Sequence, residues 1–342
     1  MRAVIHHDVA GPLRIVELPD PDCPADGVVV GVRATGVCRS DWHAWRGHDP
    51  VELPHVPGHE FAGVVLELGT EVTGFAAGDR VTAPFVQGCG VCEWCRSGQA
   101  QVCPDQAQPG FTHPGSFAEK VVVRAAATNL VRLPDSLPAE SAAALGCRFA
   151  TAYHGLLARA ALRAGEWVAV FGCGGVGLSA VLVARAAGAR VVAVDPSPRS
   201  RQRALDLGAE LALDAPGAAA AVTAATGGAH VSVDAYGSAA TAAAAVASLR
   251  RRGRHVQLGL MLGADAGAGL PWELVIAREL TVVGGHGMPA VEYPAMLRAI
   301  AEGSLQPELL IERVIGFDDL PAALAALDDP MATAGVVVAT LV

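Results

Sequence analysis

The stretch WVAVFGCGGVGLSAVLVARAAGARVVAVD, residues 167 to 195, leaves this chain little freedom in how it folds. A short apolar run, WVAVF, meets a cluster of glycines. A segment of helix length, GLSAVLVARAAG, follows, and a second apolar run then stops at Asp195. Two β-type runs joined by one helix are the pattern of a parallel βαβ unit. Gly172, Gly174 and Gly177 stand at G-x-G-x-x-G spacing in the turn that opens the helix, with Gly175 and Val176 between them. Glycines there allow a tight turn and close backbone approach, so that a pyrophosphate can sit on the helix N-terminus. The spacing alone is common; the strand before it, the helix after it and the carboxylate beyond give it weight. A carboxylate at the end of the second strand accepts hydrogen bonds from both hydroxyls of an adenosine ribose and repels a 2′-phosphate, so the expected cofactor is NAD. Arg199 and Arg201 lie close by; Arg199 counts among the candidate cofactor contacts, and the two together keep NADP as the alternative.

The alternation continues with the helical PRSRQRALDLGA and with β-type runs at HVSVDA, RHVQLGL and LTVVGG, separated by alanine-rich segments. The alanine-rich stretch from 215 to 229 reads as helix plus loop, since alanine is the best helix former. Residues 149–286 are therefore expected to form an open parallel sheet with helices on both faces. Earlier, VVVGVRATG, FAGVVLELG, RVTAPFV and FAEKVVV read as strands broken by turns such as AAGD, an all-β layout with long loops. After residue 286 come a helix, EYPAMLRAIAEG, and a last strand, GVVVATLV.

The balance of charges excludes several function classes. A net charge of -9 disfavours a nucleic-acid binder. Lys120 is the single lysine, which leaves Schiff-base chemistry almost no candidate. Residues 167 to 184 are uncharged over about the length of a membrane span, but their glycine cluster argues against one. The N-terminal MRAVIHHDVAGPLRIVELPD carries no apolar signal region, and the chain is expected to be cytoplasmic, without a membrane partner. Eight cysteines in such a compartment point to metal ligands rather than disulfides.

Four of the eight lie in CGVCEWCRSGQAQVC, where Cys89, Cys92, Cys95 and Cys103 are spaced C-x2-C-x2-C-x7-C. Four thiolates in one loop suit a closed tetrahedral zinc that stabilises the fold. An iron–sulfur run of ferredoxin type has three residues before its last cysteine, and this loop has seven.

A second polar concentration, GVCRSDWHAW, places Cys38, Arg39, Ser40, Asp41 and His43 within six positions. Downstream, PGHEFAG holds His59 and Glu60, and ALGCRFATAYHG holds Cys147. Cys38, His59 and Cys147 make a Cys2His set, three zinc ligands with one position left open for a substrate.

With GVCRSD, GHE, the four-cysteine loop, GCRFATAYHG and GCGGVG in this order along its length, the chain resembles the zinc-dependent alcohol dehydrogenases of the medium-chain dehydrogenase/reductase superfamily. The resemblance implies a GroES-like, mostly-β catalytic domain, residues 1–148 and 287–342, split around a Rossmann NAD-binding domain, residues 149–286. It implies two zinc ions per chain, one catalytic and one structural, and a homodimer or homotetramer. Cys38, His59 and Cys147 would hold the catalytic zinc, with Glu60 behind it as an occasional ligand. Ser40 and His43 would relay the alcohol's proton through the cofactor ribose, and Asp41 would fix the His59 tautomer. Thr151 would pack near the nicotinamide and Arg39 would reach the pyrophosphate. Phe85, Trp42 and His286 are candidates for the substrate pocket.

The chemistry explains the grouping. Zinc lowers the pKa of a bound water from about 15.7 to about 7, and an alcohol is about as weak an acid as water. The expected activity is reversible oxidation of a primary or secondary alcohol to an aldehyde or ketone, with hydride transfer to NAD. The alternatives are a polyol, sugar or amino-alcohol dehydrogenase, whose third ligand is often glutamate, and a non-catalytic nucleotide-binding redox sensor. Cys23 and Cys173 carry no ligand spacing, and His6, His7, His48, His55, His113 and His154 read as surface or packing histidines.

Overall fold

The protein is described from a computed structural model over residues 1–329, 331 and 333–341. Val342, at the end of the expected last strand, lies outside the described residues. The chain divides into two compact units: Met1–Ala150, Gly287–Gly303 and Ile311 onward form one, and Thr151–His286 with Ser304–Leu310 form the other.

The first unit opens with an antiparallel ribbon of β1 (Arg2–Ile5) and β2 (Arg14–Glu17). Its main sheet is built on β3 (Val28–Val37), which pairs antiparallel with β4 (Phe61–Leu68) and with β6 (Lys120–Val123). β5 (Arg80–Thr82) and β7 (Val131–Arg132) extend the β4 side; the late strands Val336–Thr340 and Ile311–Gly316 extend the other. Val28, Val30 and Val32 alternate along β3 into a core with Phe61, Val65, Phe117 and Val121. Each such side chain, fully buried, contributes about 1.5–3 kcal/mol relative to exposure. The run RVTAPFV yields a shorter strand than expected because Pro84 has no N–H to give to a ladder. The all-β expectation also misses the helix Arg39–Trp45, which starts where β3 ends.

The second unit is a six-stranded sheet of β8 (Trp167–Phe171), β9 (Arg190–Val194), β10 (Leu211–Leu213), β11 (Ala229–Asp234), β12 (Leu249–Gln257) and β13 (Thr281–Gly284). Every pairing is parallel, in the order β10-β9-β8-β11-β12-β13. This is the doubly wound arrangement whose order reverses between its first and fourth strands, where such folds bind dinucleotides. β8 is buried along its whole length, which is why a central strand reads as one continuous apolar run. The run from 167 to 184 thus divides into β8 and the helix Gly175–Ala186, and among the described residues no helix is long and apolar enough to cross a membrane. The alanine-rich stretch contains the helix Ala218–Thr226.

Candidate functional site

Ligand atoms of Cys38, His59, Glu60 and Cys147 in the first unit all lie within 4.8 Å of one another. Three local structures deliver them. Cys38 is the extended N-cap between β3 and the helix Arg39–Trp45. His59 and Glu60 immediately precede β4. Cys147 sits in a wide helical turn, Leu145–Phe149, that follows the short helix Ala139–Ala143; such widened turns recur at functional sites.

Asp41 organises this cluster. It is fully buried, and its Oδ2 accepts the Cys38 backbone N–H at 3.3 Å, one half of a capping box. Its Oδ1 accepts the Gly58 N–H at 2.9 Å and the His59 Nδ1–H at 2.8 Å. A carboxylate can only accept, so His59 Nδ1 carries a proton and Nε2 is the nitrogen left to offer its lone pair to a metal. Burial opposes a charged His59 ring, but Asp41 and Cys38 together outweigh it and hold the imidazole well above its ordinary range. A basic imidazole of fixed tautomer is what a metal-ligating histidine requires. Nε2 of His59 is buried with no hydrogen-bond partner, an orphan that a metal would satisfy. The Cys147 thiol beside Cys38 holds the Cys38 thiol well below its usual range against the effect of burial, and Cys147 is pushed well up. Donors of this kind fit zinc.

Glu60 has a partner that sequence reasoning missed. Its Oε1 accepts the backbone N–H and the Nε–H of Arg148 at 3.1 Å each, and its Oε2 pairs with the Arg148 Nη2. Both residues are buried. Gly36 makes room for the pair, since a Cβ there would come within 2.3 Å of Glu60 Oε2. The signal was the position of Arg148, directly after a ligand candidate in an apolar segment.

Phe85 is buried against Cys38 and Cys147, and its ring meets the His59 ring edge-on at 5.9 Å. Phe111, not anticipated, meets the same ring at 5.2 Å. Ser40 Oγ lies 3.8 Å from Cys38 Sγ. His43 is half-buried on the same helix. Trp42 gives its Nε1–H to Asp328 at 2.8 Å and touches the His43 and His48 rings. Arg39 stacks over Trp42 and donates to the Leu327 carbonyl.

The four loop cysteines also converge, with all Sγ atoms within 4.8 Å and none in a disulfide. Cys92 and Cys103 have Sγ atoms 3.7 Å apart. Thiolates about 2.3 Å from a tetrahedral zinc stand about 3.8 Å from one another. Backbone N–H groups of Cys89 and Cys95 point at the sulfurs of Cys103 and Cys92. The helix Glu93–Arg96 buries none of its residues, so the loop has little apolar core of its own.

In the second unit, Gly172 ends β8 with φ of 90° and Gly174 caps the helix Gly175–Ala186. A Cβ on Gly177 would meet the Gly172 carbonyl oxygen at 1.8 Å, so only glycine allows this turn. Asp195, just after β9, accepts N–H groups from Cys173 at 2.7 Å and Ser197 at 2.8 Å, which ties it to the glycine turn. Arg199 lies in the first turn of the helix Pro198–Asp206. Arg201 donates to the Asp195 carbonyl oxygen at 2.7 Å and pairs with Asp214. Thr151 is buried in the turn Ala150–Tyr153, and burial pushes the His286 imidazole down.

Residues 24–135 match the alcohol dehydrogenase GroES-like domain and residues 175–302 the zinc-binding dehydrogenase domain. The chain is 41% identical over 217 residues to an alcohol dehydrogenase of Geobacillus stearothermophilus, a match spanning 63% of this chain and 64% of that protein's length. It is 37% identical over 289 residues to an alcohol dehydrogenase of Rhizobium meliloti (strain 1021), across 83% of each. Its fold superposes on the alcohol dehydrogenase TADH from Thermus sp. ATN1 with a TM-score of 0.92, at 31% identity over 99% of both chains. With its halves matched in order and its fold shared throughout, the chain belongs to the zinc-type alcohol dehydrogenases of the medium-chain dehydrogenase/reductase superfamily.

Proposed function

We propose that this protein reversibly oxidises a primary or secondary alcohol to an aldehyde or ketone, with zinc at the Cys38–His59–Cys147 cluster and NAD as hydride acceptor. The proposed domains, residues 1–148 and 287–342 around 149–286, follow the two compact units except that residues 149–150 pack with the first unit and Ser304–Leu310 with the second. The observation that carries the reading is the buried, unpartnered Nε2 of His59, whose other nitrogen is fixed by Asp41, facing two cysteine thiols. Zinc at these three donors would supply the Lewis acidity that makes an alcohol's hydroxyl proton labile. The nicotinamide would take the hydride.

The residues divide the remaining work. Asp41 holds His59 and Cys38 in one geometry, so that the donor set is formed before anything binds. Arg148 occupies both oxygens of Glu60, which leaves the fourth position to substrate rather than to the carboxylate. Phe85 and Phe111 cover the His59 ring and exclude water from its side. Ser40, next to Cys38, takes the hydroxyl proton, and His43 receives it downstream. The glycine turn and the following helix hold the pyrophosphate, and Asp195 reads the ribose as NAD. The four loop cysteines would hold a second zinc that cross-links the loop. Cys147 as third ligand favours an alcohol over a polyol, and a homodimer or homotetramer is the expected assembly.

The test is metal content per chain on protein purified without chelators, followed by a panel of alcohols, diols and ketones with NAD and NADP. Two zincs, no iron, and NAD-linked turnover of at least one alcohol or carbonyl are expected. Zinc-loaded protein that binds NADH yet turns over nothing on the panel overturns the reading. Asp195→Gly should shift discrimination toward NADP by about tenfold; unchanged discrimination removes Asp195 as ribose reader.

A further inference from the structure

Five residues beyond His43, His48 makes a contact that the steps above do not use. Nδ1 of His43 lies 3.1 Å from Nδ1 of His48, and the ring centroids are 5.3 Å apart. The turn after the helix sets this register: the His48 backbone N–H donates to the His43 carbonyl at 2.9 Å. Trp42 meets the His43 ring at 5.0 Å and the His48 ring at 5.2 Å, and its own indole N–H is held by Asp328. The indole thus fixes both imidazoles from one side. His43 is half-buried, whereas His48 is exposed to solvent. Charged or titratable groups around the pair include Arg39 and Cys38, Arg46 at the helix end, Asp49 next to His48, whose N–H reaches the His43 carbonyl at 3.3 Å, and Asp328 in the segment packed on the helix, which Arg46 and Trp42 bind.

We infer that His48 is the exit for the proton released in alcohol oxidation, taking it from Nδ1 of His43 and giving it to water. The inference rests on the alcohol dehydrogenase reading above. In each turnover the substrate gives up a hydride from carbon and a proton from its hydroxyl. At His43 an N–H bond forms at Nε2 while the one at Nδ1 breaks. A new N–H bond forms at Nδ1 of His48 while its Nε2–H bond breaks and that proton passes to water; proton exchange with solvent then returns both rings to their starting tautomers. No electrons are exchanged in these steps. Burial first, then His48 and Arg39, hold the His43 imidazole down to about 4. At neutral pH it therefore passes a proton on more readily than it keeps one, and a solvated imidazole next to it is a suitable receiver.

The test compares wild type with His48→Ala and His48→Gln in single-turnover alcohol oxidation, following NADH by absorbance and proton release with a pH indicator. Glutamine keeps a hydrogen-bond partner for His43 but relays no proton. Both variants should release the proton about tenfold more slowly at neutral pH. The rate should recover toward alkaline pH and with increasing concentration of a morpholine-type buffer base that does not ligate zinc. Zinc content and NADH affinity should match wild type. A wild-type pH profile in His48→Ala, or full activity in His48→Gln, overturns the exit role while the dehydrogenase reading stands. Absence of alcohol turnover in wild type itself overturns that reading, and the exit role with it.

Discussion

The two cysteine clusters of the first unit use the same donor atoms in opposite settings. The loop cluster draws its four thiols from Cys89 to Cys103, within one loop, and three of them are only half-buried. Its immediate support is backbone N–H groups of its own loop. The other cluster draws Cys38, His59 and Cys147 from three distant segments, all buried, and is supported by side chains: Asp41 behind His59 and Arg148 behind Glu60. The difference follows from what each must do. On the proposed reading, a closed four-thiolate zinc would only have to cross-link a loop with little core, and local backbone would suffice. A three-ligand site must keep one position open and its donors rigid, which needs groups anchored in a packed interior.

The comparison breaks most clearly at the buried cluster. Cys38→Ser or His59→Ala should lose one metal per chain and reduce turnover by at least about 10³-fold, since several kcal/mol of charge stabilisation go with it. Metal analysis with steady-state kinetics checks this, and wild-type turnover in either variant would move the active site elsewhere. Arg148→Met strands a buried Glu60 and should destabilise the fold by roughly 3–5 kcal/mol. Denaturant unfolding measures it, and adding Glu60→Gln should restore much of the loss if the pair is the cause. A stability unchanged by Arg148→Met would mean that Glu60 is satisfied by something else. Asp41→Asn keeps the shape but presents an amide to His59, and should weaken metal binding or activity about 10–100-fold; competition with a chelator reads the affinity. Cys92→Ser should have the smallest effect on turnover. The second zinc should be lost and the melting temperature should fall by roughly 5–10 °C, with turnover per folded molecule within about twofold of wild type. A turnover loss as large as that of Cys38→Ser would show that the two clusters are not separate in function.

Much of this was legible in the sequence, for reasons of distance along the chain. Cys89, Cys92, Cys95 and Cys103, like Gly172, Gly174 and Gly177, act within one loop or turn, so their spacing already encodes their geometry. Strand periodicity placed β3, β4, β8 and β9 closely, because side chains alternate or are buried on both faces. The helix Arg39–Trp45 was missed because its start depends on Asp41 capping Cys38 and on contacts with Gly58 and His59, not on periodicity in its seven residues. RVTAPFV was read too long because its apolar character persists through Pro84 while its hydrogen bonding does not.

By itself, the sequence determined which donor-bearing residues come together: Cys38, His59 and Cys147 in one cluster and Cys89, Cys92, Cys95 and Cys103 in the other. The order of motifs identifies the family, and the donors within each motif are short-range facts of the chain. Only the tertiary structure decided what stands behind those donors. Arg148 closes on Glu60 from a segment 88 residues away. Phe111 covers His59, and His48 turns back onto His43 under Trp42. These contacts depend on how packed segments meet in space. A histidine classed as a surface residue from its spacing, His48, can therefore become the neighbour of the proposed relay residue His43 once the chain has folded.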